Sequence, residues 1–73
     1  MTNYKIKERA FMLDMTINEV ATVVAEGLPQ YKIDAKTLSA AINAPVQLLT
    51  EKQRKICETA DRILREKESR KED

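Results

Sequence analysis

Several residue types that often carry chemistry are missing or rare in this chain. It has no histidine and no tryptophan, and its only cysteine is Cys57. An intrachain disulfide is impossible with one cysteine, and this inventory supports neither a disulfide framework nor a metal cluster. The chain also lacks a Gly-rich phosphate loop. We therefore predict a protein that is not an enzyme, with no catalytic residue, no cofactor, no metal site and no small-molecule substrate.

Turn-forming and aromatic residues are scarce as well. The chain has one glycine, two prolines and three aromatic residues, and no segment shows a sustained alternation of β-branched and polar residues. This composition argues against β-hairpins, and the apolar residues are mainly Leu, Ile, Val, Met and Ala, which suit helices. We predict an all-α protein, and 73 residues are enough for one domain at most.

The chain has no strong excess of charge of either sign. Its 13 basic and 12 acidic side chains give a formal net charge of +1. Proteins that bind nucleic acids gain much of their affinity by neutralising phosphates, so this balance counts against DNA binding. A small domain can still bind DNA if it concentrates its positive charge on one face.

Long apolar runs are absent too. The N-terminus carries no apolar signal core, and no run approaches the roughly 20 apolar residues that a membrane span needs. We therefore expect a soluble, cytoplasmic protein without a membrane partner.

The spacing of apolar residues predicts two helices in the first third of the chain. The first covers residues 4–13, and a capping box at residues 16–19 (Thr-Ile-Asn-Glu) starts the second at about Ile17. Gly27 tolerates the positive φ common at helix ends and Pro29 cannot continue a helix, so the second helix should end there. The expected core positions are Ile6, Ala10, Phe11, Leu13, Val20, Ala21 and Val24.

Residues 34–43 form the segment that matters most for function. They predict a short third helix that is capped by Asp34 and ended by Ala44 and Pro45. The connection before it is longer than the usual three or four residues of a helix-turn-helix turn, and we expect three of its side chains to anchor it on the core. The anchors are Leu28, Tyr31 and Ile33; the helix should bury Leu38, Ala41 and Ile42 and turn Ala35, Lys36, Ser39, Ala40 and Asn43 outward.

A fourth helix follows a second capping box at residues 50–53 (Thr-Glu-Lys-Gln). The apolar bridge before it, residues 46–49, favours a place in the core, although a small domain can also use such a patch to dimerise. No apolar residue follows Leu64, which divides the chain into a domain of residues 1–64 and a solvated, charged helix extension of residues 65–73. The expected core positions are Val46, Leu48, Leu49, Ile56, Cys57, Ala60, Ile63 and Leu64.

Three segments occur in an order that resembles a known group of DNA-binding domains. They are Thr16-Ile17-Asn18-Glu19-Val20-Ala21, then Ile33-Asp34-Ala35-Lys36-Thr37-Leu38-Ser39-Ala40-Ala41-Ile42-Asn43, then Leu49-Thr50-Glu51-Lys52-Gln53-Arg54. Headpieces of the lac-repressor family and the related Cro-like phage repressors have such a Thr-Ile-x-x-Val-Ala helix start, a polar recognition segment and a Ser/Thr-capped helix in this order. The resemblance covers residues 4–64. It implies a helix-turn-helix domain of four or five helices, here with an expanded turn between helices 2 and 3.

The resemblance also implies a function. The protein would be a sequence-specific transcriptional regulator of phage or mobile-element type that binds double-stranded DNA through residues 34–43, as a homodimer. It implies that Ala35, Lys36 and Ala40 face base edges, that Thr37 and Ser39 bond phosphates, and that Asn43 lies near the DNA backbone at the helix end.

Other interpretations of the same residues stay open from the sequence. The polar side chains of the third helix could be an ordinary solvated face, and its small alanines could instead admit another helix in a protein-protein module without DNA readout, such as an antirepressor or an inhibitor of a host factor. Basic residues outside this helix could extend a positive patch or be scattered over the surface. They are Lys5, Lys7, Arg9 and Lys32, together with Lys52, Arg54 and Lys55 at the start of the fourth helix.

Overall fold

Four α-helices make up most of the part of the chain that the structure describes. The structure is a computed structural model that describes residues 3–71, and within this range it contains no strand. The predicted all-α class with four helices is confirmed. The helices are α1 (Ile6–Met12), α2 (Ile17–Gly27), α3 (Ala35–Asn43) and α4 (Glu51–Lys71), with short 3-10 turns at Asn3–Lys5 and Val46–Leu48.

The predicted caps place the starts of three helices correctly. The Thr16 hydroxyl accepts from the Glu19 N–H at 3.2 Å, and the Glu19 carboxylate accepts from the Thr16 N–H at 3.0 Å. Thr50 and Gln53 repeat this reciprocal arrangement at the start of α4, with both distances at 3.1 Å. Each capping box satisfies two backbone N–H donors that an uncapped helix end would leave to water.

Helix α4 is the element against which the other helices pack. It contacts α1, α2 and α3, and α2 also packs on α3. The core is wholly aliphatic apart from one thiol, as the composition implies. Its fully buried members are Ile6, Ala10, Val20, Ala21, Val24, Leu38, Ala41, Ile42, Ile56, Cys57, Ala60 and Leu64, with Leu13, Met15, Ile17, Leu28, Ile33 and Ile63 half-buried around them.

Gly27 is the last residue of α2, and its role there differs from the one that the sequence suggested. It has no positive φ, so the expectation of a left-handed residue there is wrong. A Cβ atom at this position would lie 3.3 Å from Thr59 Cγ2 and 3.9 Å from Ile63 Cδ1. The glycine therefore allows the end of α2 to approach α4 closely.

This close approach can be measured with a double-mutant cycle. Gly27→Ala alone should change the free energy of unfolding little, because the helix-propensity gain of about 0.5–1 kcal/mol opposes the tight contact. Thr59→Ser removes Cγ2, so Gly27→Ala in that background should be stabilising. Urea denaturation of the four proteins checks this coupling. Identical effects of Gly27→Ala in both backgrounds would contradict the packing described here.

Three large apolar side chains lie outside the core, contrary to prediction. Phe11 is 81% exposed, Val46 64% and Leu48 70%. Helix α1 is only seven residues long, and the stripe through Ile6 and Ala10 that faces the core leaves Phe11 on another side. No other part of residues 3–71 covers the turn that contains Val46 and Leu48, so both side chains lie on the surface.

The charged end of α4 contacts the domain instead of leaving it at Leu64. The helix continues unbroken through Lys71, and the Arg9 guanidinium donates to both Glu68 carboxylate oxygens at 3.1 and 3.2 Å. Arg9 Nε also lies 3.5 Å from Asp61 Oδ1, and Asp61 accepts from Arg65 at 3.0 Å. These pairs connect α1 to the last turns of α4. Residues 72 and 73 of the predicted extension lie outside the described range.

The turn before α1 holds the end of α3. The Asn3 side-chain amide donates to the carbonyls of Ala41 at 3.0 Å and Ala44 at 2.7 Å, which satisfies acceptors that a helix C-terminus leaves free. Tyr4 and Lys5 then adopt left-handed backbone conformations, with φ of 58° and 54°, before the chain enters α1. The C-terminal end of α3 is thereby fixed in place from outside the helix.

Candidate nucleic-acid interface

The outward face of α3 has the composition that the sequence predicts. Leu38, Ala41 and Ile42 are buried against the other helices. The opposite side of the helix presents Lys36, Ala40 and Asn43, which are exposed. Between these two sides lie the half-buried residues Ala35, Thr37 and Ser39.

Thr37 takes part in the N-terminal cap of α3. Its backbone N–H donates to Asp34 Oδ1 at 2.8 Å. Hydrogen bonds from this N–H and from the Thr37 side chain lower the pKa of the Asp34 carboxyl below its usual value. The Thr37 N–H therefore serves the cap of α3.

Ser39 and Asn43 form a pair one turn apart on the same helix. The Asn43 side-chain amide donates to the Ser39 carbonyl at 2.9 Å and to the Ser39 hydroxyl oxygen at 3.2 Å. The Ser39 hydroxyl hydrogen and the Asn43 amide oxygen can still bond other groups. The pair therefore offers one donor and one acceptor beside Lys36.

A shallow groove joins the outward face of α3 to the start of α4. Its volume is about 350 Å³, and fully buried Ile56 forms part of its lining. The groove brings together three of the predicted site residues and leaves Lys32, Ala35, Ser39 and Asn43 outside its lining. It is lined by Lys36, Thr37 and Ala40 from α3 and by Thr50, Lys52, Gln53 and Ile56 from the start of α4.

The capping box fixes what Gln53 offers to this groove. Its amide oxygen accepts a hydrogen bond from the Thr50 backbone N–H. Flipping the amide would place its NH₂ donor against this N–H donor, so the orientation is fixed. The Gln53 NH₂ group is therefore the part of the side chain that can bond a ligand in the groove. It adds a neutral donor to the two lysine ammonium groups.

The groove is electrostatically one-sided although the chain is nearly neutral. Lys36 and Lys52 are among its lining residues, and no carboxylate of residues 3–71 lines it. Lys55 lies nearby in sequence but pairs with Glu51 at 3.7 Å, and Arg9 is bound to acidic residues of α4. Arg9, which from the sequence could either extend a basic patch or belong to a scattered solvated face, is therefore a paired cation. The chemistry of the lining, cations and donors over an apolar floor, suits an anionic ligand.

A scan of protein-family models, a search of curated proteins and a search of solved structures each found no match to this chain. Within the described helices, none is both long and apolar enough to cross a membrane. No group of three or more Asp, Glu or Cys side chains in residues 3–71 could hold a metal ion.

Cys57 is a core residue. Its thiol is fully buried and lies 3.6 Å from the Ala41 carbonyl, to which it can donate a weak hydrogen bond. Burial raises the pKa of the thiol to about 11, so the reactive thiolate is scarce at neutral pH. This residue connects α3 to α4 by packing.

From the sequence, Lys52 was one of several basic residues that could extend a positive patch or be scattered over the surface, and its place in a groove was not identified. The capping box at Thr50 and Gln53 was visible in the sequence, and it places Lys52 in the first turn of the helix. No local sequence pattern gives the packing of α3 on α4. The sequence therefore did not show that this turn lies beside Lys36. Tyr31, expected as a core anchor, is half-buried and has its ring 5.4 Å from Lys52 Nζ.

Proposed function

We propose that this protein is a sequence-specific regulator of transcription that binds double-stranded DNA with the outward face of α3. The observation that carries the proposal is the groove that Lys36 of α3 and Lys52 of α4 both line, without a carboxylate from the described part of the chain. Two cations on adjacent helices concentrate positive charge on one face, which the net charge of +1 alone does not suggest. The resemblance to repressor headpieces supports the same helix as the DNA reader.

The shape of α3 also suits the proposal. A nine-residue helix is capped at its start by Asp34 and bound at its end by Asn3, so its outward face is presented as a rigid unit. Small side chains at Ala35 and Ala40 would let the helix lie close to base edges and contact a thymine methyl group. In this helix-turn-helix arrangement, residues 28–34 form the expanded turn between α2 and α3.

Removing two polar groups from α3 tests the assignment. Lys36→Ala with Ser39→Ala should weaken duplex binding about tenfold, the scale of one lost charge-assisted hydrogen bond of about 1.5 kcal/mol. The matched control is Arg62→Ala with Ser69→Ala, which likewise removes one cation and one serine, here from exposed positions of α4. Fluorescence anisotropy with a labelled duplex measures both. Equal affinities of the two double variants would refute the role of α3.

We also propose that the protein acts as a homodimer. A domain of this size has limited affinity for DNA on its own, and a second copy would allow it to read two half-sites. Two exposed apolar patches are available for the contact: Phe11 and Met12 at the end of α1, and Val46 and Leu48 between α3 and α4. Exposed side chains of this size favour an interface over a solvated surface.

Sedimentation equilibrium of single charge variants tests the dimer. If the patch at the end of α1 forms the contact, Phe11→Glu should convert the protein to a monomer; if the patch between α3 and α4 forms it, Leu48→Glu should. In either case the reason is that burying an unpaired carboxylate in an interface is strongly unfavourable. The other variant serves as the control for each. A wild-type protein that sediments as a monomer at concentrations that saturate the duplex would contradict the proposal.

The same exposed patches support a second candidate function. They would suit a protein-protein module that keeps a helix-turn-helix shape without DNA readout. A stoichiometric protein partner, together with duplex binding no stronger than that of an equally charged control protein, would favour this candidate. In that case Leu48→Glu or Phe11→Glu would abolish capture of the partner, while Lys36→Ala would not.

A further inference from the structure

We infer that Lys52 is a phosphate-binding residue of the groove and that Tyr31 is the positioning residue that holds it there. The inference rests on the proposed function, because the ligand is a backbone phosphate of the bound duplex. It assigns a DNA contact to the start of α4 in addition to α3, and it gives the expanded turn the role of positioning that contact.

The first observation is the position of Lys52 relative to Lys36. Both side chains line the same groove, one from each helix, and exposed Ala40 lines it from the α3 side. A strand that passes over α3 would therefore meet a cation on each side of the groove. A phosphodiester between the two lysines would also be within the region to which Gln53 can donate.

The second observation is the contact that Lys52 makes at its other side. Its ammonium lies 5.4 Å from the centroid of the Tyr31 ring, within the range of a cation–π interaction. Tyr31 is half-buried, and its backbone N–H donates to the Leu28 carbonyl at 3.0 Å, so the turn that carries the ring is hydrogen-bonded. An exposed lysine normally samples many rotamers, and this ring restricts Lys52 to the edge of the groove.

The two observations together explain what the expanded turn contributes. A lysine that is held beside the groove before binding loses less rotamer freedom when a phosphate arrives. The ring interacts with the cation without neutralising it, so the positive charge stays available to the phosphate. Residues 28–34 would thus set the position of a DNA contact without touching the DNA.

The variants separate binding from positioning. Lys52→Met keeps an unbranched side chain, one heavy atom shorter, and removes its charge. It should weaken binding to a labelled duplex and reduce the magnitude of the slope of log affinity against log salt by about one. Tyr31→Leu should weaken binding about two- to tenfold and leave that slope unchanged, since the charge remains. Tyr31→Phe retains the ring and should bind like the wild type.

A double-mutant cycle decides the outcome. Tyr31→Leu should have no effect on duplex affinity once Lys52 is methionine, because its only route to the DNA has been removed. The inference is overturned if Lys52→Met binds like the wild type, or if Tyr31→Leu acts equally in both backgrounds or strengthens binding. Those results leave the proposed function intact when Lys36→Ala with Ser39→Ala still weakens binding, whereas a wild type that binds no duplex overturns the proposed function itself.

Discussion

Replacing Leu38 by alanine is expected to destabilise the protein by about 2–5 kcal/mol, a large part of the stability of a domain this small. Leu38 is fully buried at the centre of α3, within the cluster that includes Ile42 and Ile56. Its truncation would leave a cavity where α3 packs on the rest of the domain. Urea denaturation followed by helical circular dichroism measures the loss.

Leu48→Ala is the matched control for this prediction. Leu48 is the same residue type, ten residues further along the chain, but its side chain is 70% exposed. Its replacement should change the free energy of unfolding of the monomer by no more than about 0.5 kcal/mol. If the two substitutions cost the same, the burial pattern described here, and with it the orientation of α3, is wrong.

A negative charge in the groove should have the largest effect on function. Ala40→Glu places a carboxylate on the exposed side of α3, in the groove that Lys36 and Lys52 line, where it would face incoming phosphates and pair with the lysines. Both effects oppose DNA binding, so we expect the duplex affinity to fall more than tenfold, a loss of at least about 1.4 kcal/mol. The fold should survive, because Ala40 is exposed and glutamate is a good helix former.

Ser69→Glu provides the control for net charge. Ser69 is exposed near the end of α4, roughly 25 Å along the helix from Lys52 at 1.5 Å per residue. Charges that far apart are screened from each other at physiological salt. Ser69→Glu should therefore bind a duplex nearly as well as the wild type, and equal losses for both glutamate variants would show that only net charge matters.

The sequence predicted the helices well because their start signals are local. Thr16 and Glu19, Thr50 and Gln53, and Asp34 each bond a backbone group within three residues, so neighbouring residues suffice to identify the cap. The buried side of α3 was equally clear from the spacing of its apolar residues.

The positions that the sequence misplaced depend on neighbours far along the chain. Val46 and Leu48 are residue types that are common in cores, and only the packing of the other helices leaves them exposed. Likewise, nothing in the sequence around Gly27 indicates that it lies close to Thr59, thirty-two residues later. The groove itself is a product of the α3–α4 crossing, so its second lysine was not predictable from local patterns.

The central claim is that this nearly neutral chain binds duplex DNA through charge gathered on one face. Its most direct test is the affinity of the wild-type protein for a labelled duplex, measured by fluorescence anisotropy over a series of salt concentrations. Lys36 and Lys52 predict that log affinity falls linearly with log salt, with a slope of about −0.9 for each phosphate neutralised and hence roughly −2 per protomer. Undetectable binding at about 50 mM salt, where phosphate contacts are strong, or an affinity independent of salt, would contradict the account.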